Sequence, residues 1–458
     1  MYTVDYKTFF KGKKITMLGL GLLGRGVGVA KFLSQCGAVL IITDLKDPKV
    51  LEPSIKKLKA FPNIQFVLGG HNLADFQSCD MVIKAAGVAP DSPYIKEAKK
   101  NKIPVEMDAS LFAKFSPATL VGVTGTRGKT TTTHLIHHIL LKANLIQNSK
   151  FKIQNSGRVY LGGNIRGIAT LPLLSKVRKG DIVVLELDSW QLQGFGTIKL
   201  SPHIAVFTNF LFDHMNYYKG NMDAYFRDKV NIFKYQKTGD ILVFGSEKLK
   251  VKSEKFGIKS KVCVAKRSSV PQSWKIKILG EHNRENIACA IVVCRALEVS
   301  EQDIKRGVET FAGVSGRLEL VRTVGGVRYY NDTTATTPDG NRVALTTLEE
   351  KNTKNIILIA GGANKGLDYT DMAKLIHKIV KGLILIKGEA SQKIIEKLPQ
   401  KHTYPIDIVS SMKDALKIAH AYACTRDSIL LSPGAASFGV FKNEYDRGDQ
   451  FVALVNKL

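Results

Sequence analysis

The stretch Val121-Gly-Val-Thr-Gly-Thr-Arg-Gly-Lys-Thr-Thr131 restricts what this chain can become more than any other part of it. An apolar run from Thr119 to Val123 breaks at Gly125 and Gly128 and then passes into a helical pattern. Glycines at such a break let successive backbone N–H groups converge on phosphate oxygens, Lys129 adds a positive charge, and Thr130 offers a hydroxyl to Mg2+ at the helix start. Gly125, Thr126, Arg127, Gly128, Lys129, Thr130 and Thr131 are therefore expected to cradle a nucleoside triphosphate. The usual spacing would put a glycine where this chain has Val123, so the loop is a variant with Gly125 nearer the lysine. An ordinary glycine turn is the competing reading, and the order of strand, two glycines, Lys-Thr and helix speaks against it.

The chain has 458 residues, too many for one core, and ordinary domain sizes suggest about three domains. The expected boundaries are residues 1–112, 113–313 and 314–458, all of α/β class. No apolar run reaches the roughly 18 residues that a membrane span needs. The start, MYTVDYKTFFKGKK, lacks the apolar region of a signal peptide, so a cytoplasmic protein is expected. Six scattered cysteines with no C-x-x-C pair point to reduced thiols rather than a zinc site or a disulfide framework. The net charge of +27 would suit an anionic partner. The lysines are spread over many segments, however, and no RNA-binding aromatic signature accompanies them. No nucleic-acid partner is expected, and the charge reads as a solvated surface.

In the first domain Lys14 to Leu18 reads as a buried strand, followed by Gly19-Leu-Gly21-Leu-Leu-Gly24 and a helix to about Gln35. A second strand, Val39 to Thr43, ends at Asp44, where the acid that binds ribose sits in dinucleotide folds. This is a Rossmann-like turn able to hold a diphosphate; alone it would suggest NAD and a dehydrogenase, but it leaves the ligand open. Met81 to Lys84 leads to a further turn at Gly87, making the carboxyl edge of this sheet a binding crevice.

In the central domain Asp181 to Glu186 is a buried strand with an acid at its end, so Thr130 and Glu186 could share one magnesium ion. Leu161-Gly-Gly-Asn164 makes a turn that presents an amide. The strand Ile204 to Phe207 leads closely to Asp213-His214, which makes His214 a candidate ligand for metal or phosphate, against the structural role more common for a lone histidine. Histidines 134, 137 and 138, on the helix after the loop, read as structural. Lys229 lies in an amphipathic helical pattern that by itself assigns it no role. Asn283 and Asn286 open a helix and could face a base edge or cap that helix. The third domain begins at Gly316-Arg317, and its strands alternate with helices, ending at glycine turns; it reads as a second Rossmann-like sheet, so the three domains are expected to share a cleft.

In this order the motifs resemble those of the Mur ligases, the ATP-dependent amide-forming enzymes of peptidoglycan precursor synthesis, over essentially the full length. The signature is the T-G-T-x-G-K-T loop, the strand ending at Glu186, Asp213-His214, His282-Asn283-x-x-Asn286 and Gly316-Arg317. Gly19 to Gly24, Asn331-Asp-Thr-Thr-Ala-Thr336 and Leu431-Ser-Pro-Gly-Ala-Ala-Ser437 with the following Phe441-Lys-Asn look most like the branch that adds D-glutamate.

The resemblance implies ATP and Mg2+ as cofactors, UDP-N-acetylmuramoyl-L-alanine and glutamate as partners, and a monomer. It implies an acyl phosphate made from ATP and attacked by the glutamate amine. Lys129, Glu186, His214 and Lys229 would carry the chemistry, with Thr130 and Glu186 holding one metal ion and His214 another. Lys229 aligns with a lysine that the family carbamylates, and the carbamate would support the second metal. Asn283 and Asn286 would face adenine, and Arg317 and Asp332 the ATP. Leu22, Leu23, Asp44, Gly87 and Asn164 would serve the UDP-sugar side, which replaces the NAD reading. Thr336, Lys365 and Ser437 would serve the amino acid. ATP contacts from two domains imply closure that excludes water.

The sequence departs from the family pattern at several positions. Thr334 stands where a lysine normally contacts glutamate, and Glu444 where an aromatic residue follows Phe-Lys-Asn. Arg127 replaces an asparagine of the loop, Asp188 a serine, and Ala85 the serine of a first-domain turn. These changes bear on the amino acid more than on the ligase chemistry, leaving L-glutamate or another amino acid as the nearest competitor to D-glutamate. A nucleic-acid-stimulated ATPase is a remote alternative that does not account for the third domain.

Overall fold

The computed structural model describes residues 5–143, 157–350 and 353–458. Three sheets form, each from apolar runs bounded by glycine or acidic turns. The first comprises β1 (Lys14–Leu18), β2 (Val39–Asp44), β3 (Ile64–Leu68), β4 (Met81–Lys84) and β5 (Val105–Glu106), in the order β3-β2-β1-β4-β5. All its pairs are parallel. Strand order reverses beside β1, and the glycine turn after β1 and the Gly87 turn after β4 flank that point, where open α/β sheets bind ligands.

The second sheet comprises β6 (Thr119–Thr124), β7 (Val159–Gly163), β8 (Ile182–Glu186), β9 (Ile204–Phe207), β10 (Ile241–Phe244) and β11 (Lys261–Val264), in the order β11-β10-β9-β6-β8-β7. It too is wholly parallel. Its central strands are buried along their length, as expected where helices cover both faces and strands read as continuous apolar runs. β6 lies between β8 and β9, so the segments leaving these three carboxyl ends come together.

The third sheet comprises β12 (Glu319–Val324), β13 (Val327–Asn331), β14 (Ile356–Gly361), β15 (Val380–Ile386), β16 (Ile406–Val409) and β17 (Ser428–Leu431), in the order β12-β13-β17-β14-β15-β16. It is mixed: β12 and β13 form an antiparallel hairpin and the other pairs are parallel. The hairpin turns on Gly325 and Gly326, both at positive φ (56° and 78°), the two-residue geometry that matches strand twist.

By internal contacts the first two sheets form one compact unit, residues 1–276 with 282–311, and the third forms another, residues 277–281 with 312–458. In the first unit Arg25 Nη2 donates to Asn164 Oδ1 at 2.9 Å, joining the glycine turn of the first sheet to the loop after β7. Among the described residues no helix is long and apolar enough to cross a membrane.

Candidate active site

The phosphate loop is built as its sequence requires. Gly125 (φ 148°) and Gly128 (φ 80°) take conformations that side chains resist, and both are crowded. A Cβ on Gly125 would lie 1.9 Å from Thr208 Oγ1, and one on Gly128 2.1 Å from Asn286 Oδ1. Gly128 then caps the helix Lys129–Lys142, with Lys129, Thr130 and Thr131 in its first turn. Lys129 Nζ folds back onto the carbonyls of Gly125 and Thr126, at 3.1 Å each.

The segment after β9 braces this loop. Thr126 N–H donates to the Asn209 carbonyl, and Arg127 N–H donates to Asn209 Oδ1 at 2.8 Å. Thr208 Oγ1 donates to the Arg127 carbonyl at 2.6 Å. Sequence reasoning assigned nothing to Thr208 or Asn209; the available signal was their position directly after a strand that neighbours the phosphate-loop strand. Farther along, Arg127 Nη1 meets Asp213 Oδ2 at 2.6 Å, and Asp213 Oδ1 accepts the His214 N–H at 2.8 Å. Burial alone would raise the Asp213 pKa, but the charges of Arg127 and His214 outweigh it and hold the carboxyl below its usual range.

His214 itself is left-handed (φ 58°), an uncommon conformation for a side chain of that size, and starts the short helix Met215–Tyr218. Its ring lies 5.0 Å from Trp190 and 5.8 Å from Tyr225. Burial, then the nearby Lys129 and Lys229 against Asp213, keeps its pKa below the ordinary imidazole value, so it can offer a neutral nitrogen.

Lys229, on the helix Met222–Val230, is only 1% exposed. Its Nζ donates to the Gly125 carbonyl at 2.7 Å and stands 4.9 Å from the centre of the Tyr225 ring. Burial and, next, the charge of Lys129 push its pKa well below the ordinary lysine value. Its helical periodicity concealed this placement, because a lysine at a core position looks like any other helix lysine until the tertiary neighbour is known. Glu186, 3% exposed, ends β8 beside the phosphate-loop strand, paired with Val123 on one side and Gly163 on the other.

Asn283 and Asn286 are buried on the helix Glu281–Ala296. Asn286 Nδ2 donates to Asn283 Oδ1 at 2.9 Å, and Asn286 Oδ1 packs against Gly128. On the helix after the loop His138 Nε2 pairs with Thr310 Oγ1, and burial holds the His137 pKa down to about 4.

In the first sheet Leu22 and Leu23 are half exposed, at 45% and 44%, in the turn between Gly21 and Gly24. Asp44 lies under that turn. Its Oδ2 accepts from Leu20 N–H at 2.9 Å and Gly21 N–H at 3.0 Å, and its Oδ1 from Lys46 N–H at 3.0 Å. These bonds, opposing burial, lower its pKa. The spacing that suggested a ribose ligand also places an acid that shapes the turn. Near Gly87, Lys84 Nζ donates to the Val88 carbonyl, and burial depresses its pKa to about 8 against the pull of Asp188 and Asp228.

In the second unit Asp332, Thr336, Lys365 and Ser437 lie on the loops after β13, β14 and β17, which are neighbours. Asp332 accepts from Leu318 N–H at 3.0 Å and Ser432 Oγ at 2.8 Å, and burial pushes its pKa up to about 7. Arg317 is exposed just before Leu318. Thr334, at the position of the absent lysine, donates to the Gly316 carbonyl at 2.7 Å. Lys365 Nζ lies 3.1 Å from Thr336 Oγ1, and Ser437 is buried in the loop after β17. Arg447, fully buried on the helix Glu444–Val455, donates to the Thr333 carbonyl at 2.9 Å and the Ala435 carbonyl at 3.3 Å, tying two of these loops together.

Family comparisons match all three sheets. Residues 13–106 match the Mur ligase MurD-like N-terminal domain, residues 123–294 the Mur ligase middle domain, and residues 316–435 the Mur ligase glutamate ligase domain. The chain is 35% identical to the UDP-N-acetylmuramoylalanine--D-glutamate ligase of Roseiflexus sp. (strain RS-1), covering 97% of this chain and 98% of that one. It is 36% identical to the ligase of the same name from Borreliella burgdorferi, covering 98% of each.

The chain belongs to the Mur ligase family.

The Mur ligase fold extends to more distant solved structures. The UDP-N-acetylmuramate-alanine ligase MurC of Thermotoga maritima superposes with a TM-score of 0.61 at 19% identity over 97% of this chain and 99% of that one. The MurF ligase of the same organism, solved in complex with ADP, gives 0.59 at 17% identity over 98% and 95%. In this Mur ligase the phosphate loop, Glu186 and His214 all belong to the middle-domain match.

Proposed function

We propose that this chain is the ATP-dependent ligase that joins D-glutamate to UDP-N-acetylmuramoyl-L-alanine in cytoplasmic peptidoglycan precursor synthesis, acting as a monomer. The observation that carries the reading is its likeness, at 32–36% identity over 97–99% of the chain, to ligases named for that reaction. The domains are taken as residues 1–112 for the UDP-sugar, 113–313 for ATP and 314–458 for the amino acid.

In this reading the γ-phosphoryl group of ATP passes to the substrate carboxylate and ADP leaves. The glutamate amine attacks the acyl phosphate, and the tetrahedral intermediate expels phosphate to leave the amide. Two anions must approach in line, so positive charge has to be concentrated where they meet. Lys129 supplies it from the phosphate loop. Thr130 and Glu186 offer the hard oxygen donors that suit Mg2+, which would neutralise phosphate charge; His214 offers a neutral nitrogen and Lys229, if carbamylated, further oxygens. Gly125, Thr126, Arg127, Gly128 and Thr131 complete the phosphate cradle, with Asn283, Asn286, Arg317 and Asp332 on the nucleoside side. Leu22, Leu23, Asp44, Gly87 and Asn164 are assigned to the UDP-sugar, and Thr336, Lys365 and Ser437 to glutamate.

With Thr334 in place of a lysine, Lys365 beside Thr336 is the cation assigned to the glutamate carboxylate. The test is phosphate release from ATP and Mg2+ with UDP-N-acetylmuramoyl-L-alanine and D-glutamate, L-glutamate or no amino acid. Amide product with D-glutamate alone is expected. Turnover confined to another amino acid would reassign the specificity, and no turnover with any would sink the ligase reading for this substrate.

A further inference from the structure

Arg127 lies inside the phosphate loop, and its guanidinium is paired with the Asp213 carboxylate. Its backbone is held on both sides, by Asn209 Oδ1 at the N–H and Thr208 Oγ1 at the carbonyl, so the side chain is the part left to move. That side chain is 41% exposed and reaches Asp213 through a single nitrogen, Nη1, which also lies 3.5 Å from the Thr126 carbonyl. Asp213 is anchored differently by its two oxygens. Oδ1 accepts the His214 N–H, while Oδ2 serves both Arg127 at 2.6 Å and His214 Nε2 at 3.7 Å. Oδ2 is thus the exchangeable partner.

We propose that Arg127 is a phosphate-binding residue held in reserve by Asp213, so that triphosphate binding exchanges the Arg127–Asp213 pair for an Arg127–phosphate pair and frees Asp213 Oδ2 beside His214. A phosphate group offers the planar guanidinium two parallel hydrogen bonds where Asp213 takes one, and it carries more charge. The freed carboxylate then adds an anion next to a neutral imidazole, a donor set suited to a divalent cation. The exchange makes phosphate and cation help one another, because each relieves the other's competitor.

This inference rests on the nucleotide reading of the loop, and the test separates the two. ATP binding is measured by calorimetry in excess EDTA, and Mn2+ binding by electron paramagnetic resonance without nucleotide, on the full chain. Asp213→Asn should bind ATP about fivefold tighter, and Arg127→Ala about tenfold weaker, with Arg127→Lys between Arg127→Ala and wild type, the sizes expected for a half-exposed ion pair and a charge-assisted contact. Arg127→Ala should bind Mn2+ about fivefold tighter and Asp213→Asn more weakly than wild type. If both substitutions weaken ATP binding, the pair merely braces the loop and the proposal falls. It falls equally if Arg127→Ala leaves Mn2+ affinity unchanged. Failure of the wild-type chain to bind ATP either in EDTA or with Mg2+ would instead overturn the nucleotide reading.

Discussion

The Lys229 ammonium group donates a 2.7 Å hydrogen bond to the Gly125 carbonyl, placing a buried amine directly against the phosphate loop. Burial first and Lys129 second lower its pKa, so a larger fraction is neutral at a given pH than for an ordinary lysine. Only the neutral amine reacts with CO2. A carbamate carbon signal should therefore appear in the NMR spectrum of the protein supplied with 13C-bicarbonate near neutral pH, and be absent in Lys229→Arg. No difference between the two proteins would remove the carbamate from the mechanism.

Lys129→Ala should lower amide formation by roughly 100-fold or more, since it withdraws a preorganised charge from the transferring phosphoryl group. Lys129 Nζ donates to the Gly125 and Thr126 carbonyls of its own loop, at 3.1 Å each, and the effect on turnover should exceed any effect on melting temperature. A variant that melts early but turns over normally once folded would contradict this division of labour.

Gly128→Ala should fail for a steric reason. The new Cβ would meet Asn286 Oδ1 at 2.1 Å in a left-handed backbone, costing about 2 kcal/mol or more. Urea denaturation gives the stability loss, and ATP titration should show weakened binding even at temperatures where the variant remains folded.

Asp332 gives the second unit a defined pH dependence. Its carboxyl is raised from 3.8 to about 7, chiefly by burial, so between those values the folded chain holds a proton that the unfolded chain has released. Stability contributed by this group is therefore fully present below about pH 4 and is lost as pH rises through about 7. Asp332→Asn, which can still accept from Leu318 N–H, should flatten that decline in melting temperature across the interval. An unchanged slope would mean that Asp332 is ionised in the folded protein.

Arg447→Ala should destabilise the third domain by about 3 kcal/mol, because it leaves buried carbonyls of Thr333 and Ala435 without their donor and opens a cavity. Since those loops carry Thr336 and Ser437, the KM for the amino acid should rise more than the KM for ATP. Equal changes in both would argue for a purely global effect.

Much of this protein was legible in one dimension. The run from Thr119 through Thr131 determined a strand, a phosphate loop and a helix, because glycine freedom and apolar periodicity are local properties. The same logic located the turns at Gly19 to Gly24 and Gly87, and Glu186 at a strand end. Tertiary structure alone decided what those residues touch. Strand order put β9 beside β6, and only that adjacency brings Asn209 and Asp213 to Arg127, 82 and 86 residues away in the chain. Packing decided that Lys229 is a buried amine and not a solvated one, and that Asp44 and Asp332 accept backbone N–H groups. Burial and hydrogen bonding depend on neighbours distant in sequence, so composition and spacing could name these residues without revealing their partners.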